Sequence, residues 1–335
     1  MLAATRRLNF AAEPVDPNDP TSPWLTARPR ALQAVRKVLG CSDYEAHAGA
    51  YTGGANAVYW VEVVMKRPDG LVVVRNLTEG AKIKVDEVTE PLEPDLLYPL
   101  LRGRDVQRWR AEPSALIVVP QDPADFKHGY PEEILKREHP KCYSYLAKFR
   151  DTLENRSAYR KYLQSSGEPW YSLYDIKNYT FAPWKVVWTR LAQIEAAVVG
   201  VRDGKPVVPQ ETVTLVECTS AAEAHYIAAL VNSSPFQFAA VSYSQEGGKS
   251  MGSMHVLEHI RIPRYDPSNP VHRRLAELSE QAHAAAAVGD DKRLREIEAE
   301  IDKVAAKLWG LSEEELREIQ RNLQELHPNV QEVAK

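Results

Sequence analysis

Residues 97–110 read LYPLLRGRDVQRWR and combine a backbone turn with a concentration of positive charge. Gly103 allows the backbone to turn sharply, and Asp105 can cap a short helix or pair with a neighbouring arginine. Guanidinium groups fork onto phosphates and base edges, so this composition favours a nucleic-acid surface. A surface turn whose arginines pair with nearby carboxylates is the alternative. The arginines and aromatic residues of the stretch are Arg102, Arg104, Arg108, Arg110, Tyr98 and Trp109.

The composition describes a globular protein with enough apolar residues for a substantial core. The chain has 335 residues, 44% of them hydrophobic, which is typical of two or three domains. Its net charge of -4 argues against a protein that coats nucleic acid non-specifically, so DNA binding would need a local basic patch. No segment reaches the roughly 18 apolar residues of a membrane span. We therefore expect a soluble protein without a membrane partner.

The cysteines and histidines indicate neither a disulfide framework nor a metal site. Cys41, Cys142 and Cys218 lie far apart, and no CxxC motif is present. His255 and His259 lie four residues apart, but no third ligand is evident, so no metal site is expected. The cysteine usage fits a reducing compartment, and the predicted location is cytoplasmic.

Short β-branched segments joined by tight turns dominate the chain up to about residue 265. The strands predicted at residues 58–64 and 71–75 are joined by an RPDG turn and should form a hairpin. Further on, the apolar spacing alternates between three and four, which predicts a helical hairpin over residues 271–308 and a short last helix. The predicted fold class is therefore α+β, with a mixed or antiparallel β-sheet followed by a C-terminal helical hairpin.

These patterns divide the chain into three regions. Residues 1–30 are predicted to be a linker or N-terminal arm, because residues 11–29 are rich in Pro, Asp, Asn, Ser and Thr. Residues 31–265 contain the predicted sheet, and residues 266–335 form the C-terminal helical region. Near the end of the second region, residues 255–263 (HVLEHIRIP) are predicted to form a further strand.

A glycine-rich loop precedes the predicted hairpin. Residues 49–56 read GAYTGGAN, and backbone amides in such a loop can cradle phosphate. The loop has neither the lysine of a P-loop nor the spacing of a dinucleotide fingerprint, so nucleotide binding is not predicted. A plain lead-in to the strand is the alternative. The candidate site residues of the loop are Thr52, Gly53, Gly54 and Asn56.

A second basic region covers residues 131–162. Its basic residues are interleaved with tyrosines, a composition that also suits an ordinary solvated helix face. Two more cations follow, one in the strand that ends an aromatic-rich segment and one in the loop QEGGKSMGS. The basic candidates of these segments are Arg156, Arg160, Lys161, Lys185 and Lys249.

No catalytic motif is evident in the sequence. We find no Asn/Asp-Pro-Pro-aromatic motif, no glycine loop suited to S-adenosylmethionine, no GxSxG, no HExxH and no convincing PD-(D/E)xK cluster. No catalytic residue is therefore assigned, and the chain alone is not expected to bind S-adenosylmethionine or to methylate DNA.

Five motifs together resemble the TaqI-like specificity region of adenine-specific DNA methyltransferases and fused restriction-modification enzymes. The resemblance covers roughly residues 24–325, and its first and last motifs are the most specific. The motifs are YPLLRGRDVQRW (98–109), TGGAN (52–56), WK (184–185), LVNS (230–233) and IRIP (260–263).

The resemblance implies a DNA target recognition domain over residues 31–265. This domain would grip double-stranded DNA while a separate methyltransferase domain or subunit flips and methylates the adenine. S-adenosylmethionine is then expected in that methyltransferase, with no cofactor in this chain. The implied DNA-contacting residues are Arg102, Arg104, Arg108, Trp109, Arg156, Arg160, Lys161, Lys185 and Lys249, with the loop Thr52, Gly53, Gly54 and Asn56.

Within this set, Arg104 and Arg108 are the expected base readers or positioners next to the glycine turn, and Arg160 and Lys161 are the expected phosphate contacts. An alternative function stays open, namely a scaffold or partner-binding protein on the same fold with no DNA function. The narrow apolar seam of residues 271–308 leaves a similar choice. It can pack internally, dock onto a methyltransferase or form an oligomer.

Overall fold

The strands and helices of the chain form the α+β fold predicted from the sequence. The computed structural model describes residues 9–22, 24–190, 194–244 and 252–326. No helix in these ranges combines the length and apolar composition that a membrane crossing needs. The strands are β1 (Ala11–Pro14), β2 (Trp24–Ala27), β3 (His47–Ala48), β4 (Trp60–Lys66), β5 (Val72–Asn76), β6 (Thr89–Leu92), β7 (Leu97–Leu101), β8 (Val106–Gln107), β9 (Arg110–Ala111), β10 (Ala115–Val118), β11 (Trp184–Thr189), β12 (Ala197–Val199), β13 (Val208–Pro209) and β14 (Val213–Cys218). The α-helices are α1 (Pro29–Val35), α2 (Asn56–Tyr59), α3 (Glu132–Glu138), α4 (Pro140–Ala147), α5 (Arg150–Glu154), α6 (Ala221–Asn232), α7 (Ser234–Ser244), α8 (Pro270–Val288), α9 (Asp291–Leu308) and α10 (Glu313–Leu326).

Two sheets organise the first two thirds of the chain. The larger has the strand order β13-β7-β10-β4-β5-β6, and its strands pair antiparallel except for the parallel contact between β13 and β7. The smaller has the order β12-β11-β14-β3 and is antiparallel throughout. The predicted hairpin is confirmed as β4 and β5, which are joined by the RPDG turn.

Strand β7 links two hydrophobic cores, because alternate side chains of a strand point to opposite faces of its sheet. Leu100 lies in the core cluster that contains Tyr145 of α4. Leu101 lies in a second cluster with Leu215 of the smaller sheet. Leu100 pairs in parallel with Val208 of β13, the strand that directly precedes β14 of the smaller sheet. This segment therefore fixes how the two sheets meet.

The predicted C-terminal helical hairpin is confirmed as α8 and α9, and its apolar seam is covered by the chain itself. Leu275 and Leu278 of α8 and Ile297 of α9 are buried in one cluster with Leu230 of α6. The same cluster includes Leu32 of α1. The largest core thus contains residues from both sides of the predicted boundary at residue 265. Whether the two sides unfold separately, as that boundary implies, stays a prediction.

The irregular structure predicted for residues 11–29 is corrected by the pairing of β1 with β2. Leu25 of β2 is fully buried, so the apolar side chain overrides the polar, proline-rich composition around it. The next residue after β2, Arg28, makes two hydrogen bonds from Nε and Nη2 to the Glu325 carboxylate of α10 (2.7 and 2.6 Å). This N-terminal segment is therefore tied to the last helix.

The strand predicted for residues 255–263 is also corrected. Residues Met254–Glu258 form a 3-10 helix, and Val256 N donates to Ser253 O (3.2 Å). The neighbours Val256 and Leu257 are both buried, which a strand with one core-facing side cannot achieve. Only an isolated bridge between Leu39 and Ile260 represents β-structure here.

Two histidines meet edge to face between α6 and α8. The rings of His225 and His283 are 4.9 Å apart at 87°. His283 Nε2 accepts the backbone N–H of Val198 (2.9 Å), and its Nδ1 lies 2.8 Å from the Ser279 carbonyl oxygen, to which it donates. Burial lowers the pKa of His225 to about 3, helped by His283, and burial also lowers the pKa of His283. Both rings are therefore neutral in the folded protein near pH 7.

We expect this pair to make the protein less stable as the pH falls below about 6.5. The unfolded histidines bind protons with an ordinary pKa, whereas the folded ones do not. The stabilising contribution of His225 is therefore complete above about pH 6.5 and is lost as the pH falls towards 3, and that of His283 is lost in the same direction. The free energy of unfolding should fall by up to about 1.4 kcal/mol per pH unit for each histidine. Urea unfolding at several pH values measures this slope, and a His225→Gln variant should show a shallower one. An unchanged slope in that variant would contradict the assignment.

Candidate nucleic-acid interface

The turn after β7 is built by Asp105 and Gly103, as the sequence predicts. Residues Gly103–Asp105 form a 3-10 helix, and Arg102 N donates to Asp105 Oδ2 (2.9 Å). A Cβ atom on Gly103 would lie 3.2 Å from Thr212 Oγ1, so the turn packs closely against the smaller sheet. The Arg102 guanidinium is buried and bonds to Asp105 and Ser114. Arg102 thus holds the turn together and has little surface left for DNA.

Trp109 is buried against the C-terminal helices, which corrects its assignment to a DNA-facing surface, and Arg108 is partly buried against the same helices. Arg108 Nε and Trp109 Nε1 both donate to Glu298 Oε1 of α9, the second at 2.7 Å. Arg108 Nη2 also donates to Asn232 O (2.7 Å). The Trp109 side chain is buried, and its backbone is left-handed with φ 63°, while its N–H donates to Ala196 O (3.0 Å). This pair docks the arginine stretch onto the helical region.

Arg104 differs from the other arginines of the stretch. It is exposed, and it has no hydrogen-bond or ion-pair partner among the residues that the structure describes. Arg110, by comparison, lies 3.4 Å from a Glu112 carboxylate oxygen. Arg104 lines a cleft of about 620 Å³ between the two sheets. The other residues that line it are Trp60, Leu77, Glu79, Gly80, Arg102, Gly103, Thr189, Gln210 and Thr212.

Two buried polar atoms beside this cleft have no hydrogen-bond partner among the described residues. Gln210 is buried, and its Oε1 atom has no hydrogen-bond partner in the described part of the chain; the same holds for Trp60 Nε1. Next to Gln210, burial raises the pKa of Glu211, against the opposing effects of Arg190 and of a hydrogen bond from Asn56. Buried polar groups without a hydrogen-bond partner in the protein are unusual, and water or a ligand often supplies the missing hydrogen bond.

The glycine-rich loop lies between the cleft and the second basic region. Gly53 and Gly54 have φ values of 71° and 88°, a backbone conformation that favours glycine. A Cβ atom on Gly54 would lie 3.6 Å from Ile83, and one on Gly53 would lie 3.0 Å from the Ala158 Cβ. Thr52 is buried and bonds to Asn56, so its hydroxyl supports the loop from within. Gly53 is buried against Ala158, and only Gly54 of the two glycines is partly exposed, so at most the backbone of Gly54 is open to a ligand.

Arg156 is in the core, which corrects its assignment to the DNA-facing surface. Its side chain is 1% exposed, and it donates to four backbone carbonyl oxygens. Lys185 is buried as well: burial lowers its pKa to about 7, and Nζ bonds to Ala182 O. Arg160 and Lys161 are exposed, and their contact with DNA stays a prediction. Lys249 lies outside the described residues.

The surface that results is a basic edge formed by Arg104, Lys82, Lys84, Arg160 and Lys161. Lys82 and Lys84 are exposed and, like Lys161, have no partner among the described residues. Local contacts connect the cleft to Lys82, because the loop that contributes Glu79 and Gly80 to the cleft continues into Lys82, which lies beside Gly54. Sequence reasoning missed the two lysines. Their alternation with Ile83 and Val85, which pack against the core, is the signal that could have shown them.

Comparison with known proteins gives a likeness of fold. No family model and no curated protein matches the sequence. The type IIL restriction-modification enzyme MmeI, solved in complex with DNA, matches 85% of this chain and 36% of its own, with 11% identity and a TM-score of 0.51. The type IIG restriction endonuclease BpuSI matches 83% of this chain and 33% of its own, with 13% identity and a TM-score of 0.37, which is too low to carry weight. The chain spans about a third of either protein, and it shares the fold of part of MmeI.

Proposed function

We propose that this chain is a sequence-specific DNA recognition module of a cytoplasmic restriction-modification system. It corresponds in this proposal to the TaqI-like specificity region of an adenine-specific DNA methyltransferase. A methyltransferase domain or subunit, with S-adenosylmethionine, supplies the chemistry. The fold that the chain shares with part of a restriction-modification enzyme supports the proposal, as do the motifs around residues 98–109.

The observation that carries the proposal is the exposed guanidinium of Arg104 at the cleft, which has no partner in the described part of the chain. Arg102, Arg108 and Arg110 each lie beside a carboxylate of the chain, whereas Arg104 is held at its backbone by the turn and its side chain has no partner among the described residues. An arginine of this kind can fork onto the O6 and N7 atoms of guanine or onto a phosphate. Pre-positioning by the turn lowers the entropy cost of that contact.

The lysines of the basic edge provide the affinity in this proposal. A protein with a net charge of -4 attracts DNA only through a local concentration of cations. Lys82, Lys84 and Lys161 supply three exposed ones that have no partner among the residues the structure describes, and Arg160 adds a fourth positive charge. Each lysine that contacts a phosphate contributes about 0.9 to the slope of log affinity against log salt concentration.

Arg104→Ala should weaken binding to a preferred sequence by about 1 to 3 kcal/mol and barely change binding to a scrambled duplex. The preferred site is obtained by selecting the full chain against a random duplex library. Fluorescence anisotropy then compares the selected and scrambled duplexes at two salt concentrations. Lys161→Ala should weaken both duplexes alike and lower the salt slope by about one.

Arg317→Ala is the matched control for these variants. Arg317 lies on α10, is exposed and has only a loose contact, 3.7 Å, with a Glu313 carboxylate oxygen. Its loss should leave both affinities unchanged. If Arg104→Ala bound both duplexes with wild-type affinity, the recognition site would not lie in this cleft. If the wild-type chain bound no duplex even at low salt, the scaffold alternative would be favoured.

A further inference from the structure

Three tyrosines form a partly exposed stack beside the basic edge. The rings of Tyr162 and Tyr174 are 4.9 Å apart at 20°, and Tyr51 meets Tyr174 edge to face at 6.0 Å. Tyr162 is 54% exposed, although it is a large aromatic side chain. One of its faces is covered by Tyr174, and most of the rest of the ring is available to another molecule.

The stack is held in place by its backbone. Tyr51 and Tyr174 exchange two hydrogen bonds, from each N–H to the other's carbonyl oxygen (3.3 and 3.0 Å). Tyr162 lies in a π-helical turn, Tyr159–Leu163, of the kind that recurs at functional sites. The turn follows Arg156, whose side chain bonds to the carbonyls of Thr52 and Ser172 on the two segments that carry the other tyrosines. The three rings are therefore pre-positioned on one support.

The charges around the stack favour an anionic partner. Arg160 and Lys161 immediately precede Tyr162 and are exposed, and Lys177 lies close to Tyr174 in the chain. Lys161 has no partner among the described residues. Asp175 is the exposed acid of the same segment, so cations outnumber acids here. A flat apolar ring next to exposed cations suits a nucleotide, which has a π-face and a phosphate.

We propose that Tyr162 stacks on an unpaired nucleobase of the bound DNA, while Lys161 contacts the adjoining phosphate. The inference rests on the proposed function, in that DNA is the partner. In a paired duplex both faces of each base are covered by its neighbours, so only a base that has left the stack can meet this ring. The tyrosine stack thus binds a locally opened segment, and the cleft at Arg104 binds paired DNA.

The test uses the full chain and three labelled DNAs of about 30 base pairs and identical flanks. The first is fully paired, the second has a central bubble of unpaired thymines, and the third has abasic sites in place of those thymines. The wild-type chain should bind the thymine bubble about 5- to 150-fold more tightly than the abasic bubble. Tyr162→Ala should abolish that difference, whereas Tyr162→Phe, which keeps the ring, should retain it. Lys161→Ala should weaken binding to all three DNAs.

The abasic bubble separates stacking from mere flexibility of the backbone, and the paired duplex separates this inference from the proposed function. Equal affinity for the thymine and abasic bubbles, or an unchanged preference in Tyr162→Ala, would overturn the inference and point to a protein segment as the occupant of the ring. Binding of the paired duplex that depends on Arg104 would then leave the proposed function standing. If the chain bound none of the DNAs, both would fall. Circular dichroism melting of Tyr162→Ala should match the wild type, because the side chain is half exposed.

Discussion

Replacing Arg156 by methionine should lower the free energy of unfolding by about 3 to 5 kcal/mol. The guanidinium is buried and donates to the carbonyl oxygens of Leu153 (3.0 Å), Thr52 (2.9 Å), Trp170 (2.7 Å) and Ser172 (3.1 Å). Methionine has similar length and no donor, so these carbonyls would lose their charged partner in a site that water does not reach. Each buried acceptor left without a donor costs about 1 to 3 kcal/mol, and relaxation of the loops recovers part of this.

The comparison of Arg156→Met with Arg156→Lys distinguishes geometry from charge. Lysine keeps the positive charge but has no planar fork, so it can satisfy only some of the carbonyls and should give an intermediate loss. Arg160→Met is the control, since Arg160 lies one turn further on, is exposed and bonds only to Asn155 among the described residues; its loss should stay within about 0.5 kcal/mol. Urea unfolding, monitored by circular dichroism, measures the free energy of unfolding of the three variants. Wild-type stability in Arg156→Met would show that the network does not hold these segments together.

Arg156 also shows where sequence reasoning stops. Local patterns identified the turn at Gly103 and Asp105, the β4–β5 hairpin and helices α8 and α9, because each depends on residues within one turn or hairpin. The position of a long cationic side chain does not depend on its neighbours in the sequence alone. Arg156 is buried because Thr52, 104 residues away, presents a carbonyl to it. No spacing rule within a helix contains that information.

The same limit explains why the sequence could not distinguish the arginines of residues 97–110 from one another. Sequence reasoning selected Arg104 and Arg108 together, since both flank the turn and both have the same chemistry. The structure separates them through Glu298, which lies 190 residues from Arg108 and accepts from both Arg108 and Trp109. The left-handed backbone of Trp109, with φ 63°, is equally invisible in the sequence, because aromatic residues rarely adopt it. Tertiary partners therefore decided which arginine stays available.

The C-terminal helices provide further partners that the sequence could not identify. Asp302 of α9 accepts the N–H of Ser234 (2.7 Å) at the start of α7, and its carboxylate is buried. Leu275 and Leu278 of α8 are buried against the core that includes Leu230 of α6. These contacts couple the helical region to the rest of the chain through both polar and apolar groups. The predicted boundary at residue 265 separates elements that share one core.

Ending the chain at Pro267 should therefore prevent cooperative folding of the remainder, not merely remove helical signal. Each fully buried leucine or isoleucine side chain contributes about 1.5 to 3 kcal/mol, and losing several of them on both sides of the contact exceeds the 5 to 15 kcal/mol by which domains are typically stable. We expect the truncated chain to lose its near-UV circular dichroism and its sigmoidal urea transition. As a control, a protease site placed in the exposed segment 266–268 should allow the full chain to be cut while the two pieces stay associated and folded. A truncated chain that unfolds cooperatively with near wild-type stability would instead establish residues 266–335 as a separate region, as the sequence pattern predicts.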